Sequence, residues 1–271
     1  MNSTHALDQL RRNITTECFP TLDGVTVVES MDSTNAALLR AEPPPYGRFS
    51  VCTAIEQTAG RGRRGRQWVS APGSGVYLSV GWTFPELRRD LPTLALAVGV
   101  AARRALTSLG AQNIVLKWPN DLIVQNGKLG GILNELRVCT TGAYVVIGIG
   151  VNVIVPGDIG ADVLALGGQP ARDLRDAGVT HPSLAGTTQA LLREISQMLP
   201  VYTAAGLTPF REEWLAADHL RNRRIEWSEG EQHFSGVARG IDSGGLLLVD
   251  AGAGEPLIRL NVGEVTLRPA A

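Results

Sequence analysis

Between positions 114 and 153 four apolar segments follow one another with at most five residues between any two of them. Residues 114–118, 122–125, 128–138 and 144–153 read as strands, and the last is apolar enough to be covered on both faces. Parallel neighbours need a crossover of about a dozen residues or more, so these strands pair as antiparallel hairpins. Asn126-Gly127 is the strongest short hairpin signal among them. The block argues against a doubly wound parallel fold. It predicts an α+β chain with a mixed, largely antiparallel sheet packed with helices.

The flanking sequence fits that class. A short helix is predicted over 5–17, a strand over 25–30, and a helix over 36–41 behind the capping run Asp32-Ser33-Thr34-Asn35. Strands over 49–55 and 76–82 bracket a Gly/Arg-rich loop. Residues 91–109 carry Ala, Leu and Val at helical spacing, which predicts a long, mostly buried helix. Residues 156–182 are punctuated by Gly, Pro and Asp and read as a mobile loop, followed by helices over 184–202 and 209–217. Beyond Asp218 short alternating segments (224–228, 232–241, 246–250, 257–260, 264–268) and the Ser243-Gly244-Gly245 turn predict a small all-β barrel. The expected division is 1–220 for a ligand-binding unit and 221–271 for the barrel.

Composition removes several function classes. With 25 basic and 26 acidic residues the net charge is −1, so no global field recruits nucleic acid or an anionic membrane. Cys18, Cys52 and Cys139 are odd in number and far apart, which supports neither a disulfide framework nor a zinc site. No apolar run is long enough to span a bilayer and no secretory signal pattern opens the chain, so a cytoplasmic protein without a membrane partner is expected.

Positive charge is local. Gly60-Arg61-Gly62-Arg63-Arg64-Gly65-Arg66-Gln67-Trp68 alternates residues that let backbone amides approach a ligand with forks of charged donors. Such a loop suits a phosphate, and Trp68 suits the closing of a pocket more than a solvated face. Ser33, Thr34 and Asn35 cap a helix or present short donors and acceptors to a polar ligand. Lys117-Trp118-Pro119-Asn120-Asp121 delivers a cation, an amide and a carboxylate where a strand breaks; Lys117 suits a phosphate and Asp121 suits Mg²⁺ or the orientation of another group. Lys128 opens a strand whose next positions include Gly130-Gly131, so it suits negative charge developing on a carboxylate–phosphate anhydride. Taken alone, Ser33-Thr34-Asn35 reads first as a helix cap and Lys128 as a hairpin lysine, the 117–121 run is balanced between a turn and a site, and only the Gly/Arg loop already favours a phosphate. Together they suit a nucleotide plus a small acid, with attack on the α-phosphate.

Ser33-Thr34-Asn35, the 60–68 loop, the 117–121 run, Lys128-Leu129-Gly130-Gly131-Ile132-Leu133 and Gly148-Ile149-Gly150-Val151-Asn152 resemble, in order and spacing, the motifs of biotin protein ligases. The likeness extends over about residues 25–271 and implies a class II synthetase-like catalytic fold followed by an SH3-like barrel. It implies ATP, biotin and Mg²⁺ as substrates and cofactor, and the carrier domain of a biotin-dependent carboxylase as partner.

Carried over by position, Ser33, Thr34, Asn35, Gln57, Arg61, Gly62, Arg63 and Lys128 would hold biotin and its activated carboxylate. Arg66, Trp68, Lys117, Asn120, Asn152 and Arg268 would serve ATP or the adenylate, with Asp121 on Mg²⁺. Lys128, Arg63 and Asp121 would carry the chemistry. The Gly/Arg loop would order on its ligand and keep the adenylate from water.

Some family members begin with a helix-turn-helix and act as repressors. Only 24 residues precede Val25, too few for such a module, so no DNA partner is expected. Family sheets sometimes pair edge to edge, which leaves a homodimer open. The rivals are a lipoate or octanoate ligase of related fold and, from another class, a nucleic-acid-binding module using the arginine loop. The latter lacks aromatic side chains along a basic face.

Overall fold

The computed structural model describes residues 3–139, 142–157, 169–229, 231–252, 254, 256–261, 268 and 269. Seven strands form the main sheet: β1 (Leu22–Met31), β2 (Phe49–Gln57), β3 (Gly75–Phe84), β4 (Val115–Lys117), β5 (Asp121–Val124), β6 (Gly127–Cys139) and β7 (Gly142–Asn152), in the order β1-β2-β3-β7-β6-β5-β4. β1 and β2 run parallel and every other neighbour is antiparallel. The mixed, largely antiparallel sheet is the one the sequence predicts.

Strand alternation gives the sheet two apolar faces. Val51, Val145 and Ile147 join the large core, whereas Cys52, Tyr144 and Val146 form a smaller cluster with Leu38 of α2 (Thr34–Arg40). The large core is filled by α3 (Leu94–Ser108), α4 (Leu184–Ala205) and α1 (Ser3–Asn13). α3 is the predicted buried helix, preceded by a 3₁₀ turn at Leu91–Thr93; Leu94, Ala97, Val98, Ala102 and Ala105 are fully enclosed. The first helix ends at Asn13 and not at 17, because the β-branched run Ile14-Thr15-Thr16 follows it and propagates a helix poorly.

The β5–β6 hairpin also differs by one residue from its expectation. Gln125 (φ 47°) and Asn126 (φ 57°) are the central turn residues, and Gly127 already pairs with Val124. Gly127 is needed for a different reason. A Cβ there would lie 2.5 Å from Arg172 Cγ and 2.6 Å from the Pro170 carbonyl, which pack onto the strand.

α5 (Thr208–Ala216) leads into a second, wholly antiparallel sheet of β8 (Arg224–Glu229), β9 (Gln232–Ile241), β10 (Leu247–Asp250), β11 (Ile258–Leu260) and β12 (Arg268–Pro269), ordered β11-β10-β9-β8-β12. Ile225, Trp227, Ala238, Leu247 and Val249 belong to the same apolar cluster as Phe210 and Trp214 of α5. The two sheets therefore share one core. Most of the expected 264–268 strand, at 264–267, and part of the expected 156–182 loop, at 158–168, lie outside the described residues. No helix among the described residues is long and apolar enough to cross a membrane.

Candidate active site

At one end of the site the chain leaves β1 and turns into α2. Ser33 is the N-cap: its backbone is extended and its Oγ accepts from Ala36 N at 3.4 Å. Ser33, Thr34 and Asn35 are all buried. The Thr34 amide and hydroxyl lie 2.9 and 3.1 Å from Gln57 Oε1. Ser79 of β3 places its Oγ 2.7 Å from Thr34 Oγ1 and 2.6 Å from Asn35 Oδ1; its single hydrogen serves only one of them.

Asn35 Nδ2 donates to the Leu133 carbonyl (3.1 Å) and to Glu135 Oε2 (2.8 Å). Its amide nitrogen is thus fully engaged, its oxygen faces the Ser79 hydroxyl, and the side chain acts as a strut joining α2 to β3 and β6. Gly148 permits this, since any Cβ there would collide with the Asn35 amide. The result is a small buried nest of hydroxyl and amide groups.

The Gly/Arg segment folds as a tight hairpin. Arg61 pairs with Gln67, Gly62 N donates to Arg66 O (2.7 Å), and Trp68 N donates to Gly60 O (3.0 Å). The tip needs left-handed residues at Arg64 (φ 58°) and Gly65 (φ 71°). Arg63 reaches across to Asn120, donating from Nη1 to Oδ1 at 3.2 Å, and Arg61 Nη1 stands 4.0 Å from Glu135 Oε1. Burial, with Arg64 and Arg66 adding to it against Asp121, lowers the Arg63 pKa from its usual value. Trp68 lies over β6 and β7, where a Cβ on Gly150 would come within 2.7 Å of its ring. Its indole N–H is buried with no acceptor among the described residues.

The third wall is cationic and acidic at once. β4 ends in Lys117, which is 6% exposed; burial lowers its pKa, Asp121 opposes that, and Lys128 and Arg66 reinforce it. A buried lysine beside two further cations gains most from an incoming anion. Lys128 Nζ forms an ion pair with Asp121 Oδ1 at 2.6 Å and stands 5.5 Å from the centre of the Trp68 ring. Asn120 is clamped by its neighbours, with Nδ2 donating to the Ile132 carbonyl at 2.8 Å. Asn152 Nδ2 donates to the carbonyls of Lys128 (3.2 Å) and Arg172 (2.9 Å), tying the backbone of Lys128 to the 169–172 segment.

All three walls border a single cleft of about 610 Å³. It brings together Ser33, Thr34, Asn35 and Gln57 at one end with Lys117, Asn120, Asp121, Lys128 and Asn152 at the other, under Arg61, Gly62, Arg63, Arg66 and Trp68. Arg268 is placed by its backbone in β12, opposite Glu226, and its side chain is outside the described residues.

A model of the Biotin/lipoate A/B protein ligase family matches residues 27–152. The "Bifunctional ligase/repressor BirA" of Escherichia coli is 37% identical over 256 residues, which cover 92% of this chain and 76% of that protein. The chain belongs to the biotin protein ligase family. The "Biotin--[acetyl-CoA-carboxylase] ligase" of Mycobacterium tuberculosis is 35% identical, with 83% of each chain covered. Among solved structures, the biotin protein ligase from Aquifex aeolicus in complex with biotin and ATP superposes with a TM-score of 0.74 at 25% identity, covering 93% of this chain and 100% of that one.

In this biotin protein ligase family member, sequence reasoning missed Ser79 and Glu135, which brace the site from behind, and Gln169 and Ala171 on the border of the cleft. Ser79 was hidden inside an apolar strand, and its only sequence signal is a hydroxyl at a position that alternation buries. Glu135 anchors both Asn35 and Arg61 from the outer half of β6. Gln169 and Ala171 border the cleft because the chain after the 158–168 stretch returns to Lys128: Lys128 N donates to Pro170 O (2.7 Å) and Arg172 N to Lys128 O (2.9 Å).

Proposed function

We infer that this chain activates biotin with ATP to biotinyl-5′-AMP and then transfers biotin to a lysine of a biotin carboxyl carrier domain. The observation that carries the reading is the union, in one cleft, of the buried polar nest around α2 and the cationic wall at Lys117 and Lys128. The first suits a compact polar ring such as the biotin ureido group; the second suits a nucleotide phosphate.

In the first half-reaction a biotin carboxylate oxygen bonds to the α-phosphorus of ATP and the bond to the β-phosphate bridge breaks, releasing pyrophosphate. Lys128 offers its ammonium to the carboxylate and α-phosphate, trading part of its pairing with Asp121 for the charge that develops there. Arg63 and Arg66 cover the phosphates from the hairpin, and the Trp68 N–H, without an acceptor among the described residues, is a donor for the ligand. In the second half-reaction the carrier's lysine amine attacks the acyl carbon, an amide forms, the amine proton is lost and AMP leaves.

The hairpin orders over the adenylate and keeps water from it. Ser33, Thr34 and Gln57 contact biotin directly, with Asn35 holding their frame. Asn120 and Asn152 line the nucleotide end, and Arg268 would reach ATP from the second sheet. Residues 1–220 act as the activating unit and 221–271 as an accessory unit.

Mg²⁺ bound with ATP takes one or two carboxylates alongside phosphates and water, and Asp121 supplies one carboxylate at the cleft, so the donor set fits. When bound, the ion would neutralise phosphate charge.

The test is biotin-dependent exchange of pyrophosphate into ATP, with octanoate and lipoate in parallel and no carrier added. Exchange that needs biotin supports the reading. Exchange with octanoate or lipoate alone moves the chain to the sister activity, and no exchange with any acid, from folded protein, removes it.

A further inference from the structure

Trp118 lies in the middle of the cleft motif, yet its indole is bound elsewhere. It is 2% exposed and donates from Nε1 to the Gly245 carbonyl at 3.0 Å, in the turn joining β9 to β10. The residue two places earlier is gripped from the same side. Leu116 N donates to Ala217 O (2.8 Å) and Leu116 O accepts from His219 N (2.9 Å), so residues 217–219, which lead into the second sheet, extend the edge of β4.

The turn that holds Trp118 is itself stiff. Asp242 Oδ1 accepts from Gly244 N (2.9 Å) and Leu246 N (3.0 Å), and Arg211 of α5 donates to the carbonyls of Ile241 (2.7 Å) and Asp242 (3.2 Å). Gly245 has φ +77°, and a Cβ there would stand 2.9 Å from Thr93 Cγ2 and 3.0 Å from Leu96 Cδ1. Its carbonyl therefore has little freedom to move.

We propose that Trp118 is a positioning residue through which the second sheet sets the Lys117–Asp121 loop against the nucleotide end of the cleft. The proposal rests on the ligase reading. Lys117 adjoins Trp118 directly, and Asn120 is bonded back to Lys117 O (3.1 Å) and to β6, so little chain separates the pinned indole from the groups that face the phosphates. The polar nest for biotin stands on α2, β2, β3 and the Leu133–Glu135 part of β6, and among the described residues none of its side chains bonds to Trp118 or Gly245. Loss of the clamp should therefore be felt by ATP and not by biotin.

Trp118→Phe keeps the aromatic body and removes the N–H; Asp242→Ala slackens the turn from the other side. On the full chain, kcat/KM for ATP in biotin-dependent pyrophosphate exchange should fall about tenfold in Trp118→Phe, the effect of leaving a buried carbonyl without its donor. Biotin affinity, measured calorimetrically without ATP, should stay within about twofold of wild type. Asp242→Ala should show the same signature, and the double variant should be no worse than Trp118→Phe alone, because both act through one contact. ATP kinetics within about twofold of wild type in folded Trp118→Phe, equal losses for ATP and biotin, or additive losses in the double variant would each overturn the proposal. Should Trp118→Phe not fold, Asp242→Ala decides by the same criterion. Wild-type protein that exchanges nothing in the presence of biotin fails the ligase reading instead.

Discussion

Lys128 Nζ and Asp121 Oδ1 face each other at 2.6 Å across the β5–β6 hairpin, with the Trp68 ring beside the ammonium. Both side chains are partly screened from solvent, so the pair is neither a free surface bridge nor a sealed one. It holds the lysine over the glycine pair on which the reacting groups would lie, and it can be exchanged for a stronger anion.

Lys128→Ala should reduce single-turnover formation of biotinyl-AMP by about two orders of magnitude or more, the usual cost of removing a group that meets transition-state charge. Wild-type-like yields would take Lys128 out of the mechanism. Asp121→Asn should leave biotin binding intact while weakening ATP use, so ATP KM is the quantity to read.

At the other end, Ser79→Ala removes the hydroxyl that faces both Asn35 Oδ1 and Thr34 Oγ1 and leaves one of them without its donor. An unsatisfied buried acceptor costs about 1–3 kcal/mol, which predicts a biotin Kd weaker by about five- to 150-fold with the ATP KM unchanged. Equal effects on both substrates would mean that Ser79 only supports the fold.

Arg63→Gly removes the arm that ties the hairpin to Asn120. The expected phenotype is release of biotinyl-adenylate and labelling of bystander lysines on an added unrelated protein. Labelling still confined to a carrier domain would count against a closing role for the hairpin.

Half-buried Asp218 and its buried neighbour His219 are shifted in opposite directions. Burial raises the Asp218 carboxyl to about 6. Burial first, then Arg223 and Lys117, lowers the His219 imidazole to about 4. Between pH 4 and 6 the folded chain holds a proton on Asp218 that the unfolded chain has lost, so this group's contribution to stability falls as pH rises. Over the same window the unfolded chain protonates His219 and the folded chain does not, so that contribution rises. The two slopes oppose each other. Denaturant midpoints across pH 4 to 6 should therefore rise with pH in Asp218→Asn and fall with pH in His219→Gln; two parallel profiles would refute the opposed shifts.

Much of this site is legible in the residues themselves. The hairpin block dictated the sheet class because short gaps leave antiparallel pairing as the only connection, and the cationic segments met in one cleft because each sits at a strand end. What escaped reading was long-range. Ser79 looks like an interruption of an apolar strand until Asn35, 44 residues away along the chain, is laid against it. Gly127 looks like half of a turn until Arg172 packs on it. Asn35 carries the right side chain for a ligand contact, but the partners that occupy it, Leu133 and Glu135, are brought near only by the sheet.

Gly131 and Gly150 sit opposite each other on β6 and β7, and the Trp68 ring rests on that bare backbone. A floor without side chains offers mutation very little to adjust: a methyl group on Gly150 must first displace the indole, and one on Gly131 presses on both Lys128 and the ring. Altered acid preference in a chain of this kind would have to arise at the α2 nest or in the hairpin. On the proposed reading, variation in acid preference falls chiefly to the α2 nest, away from the Lys128–Asp121 pair.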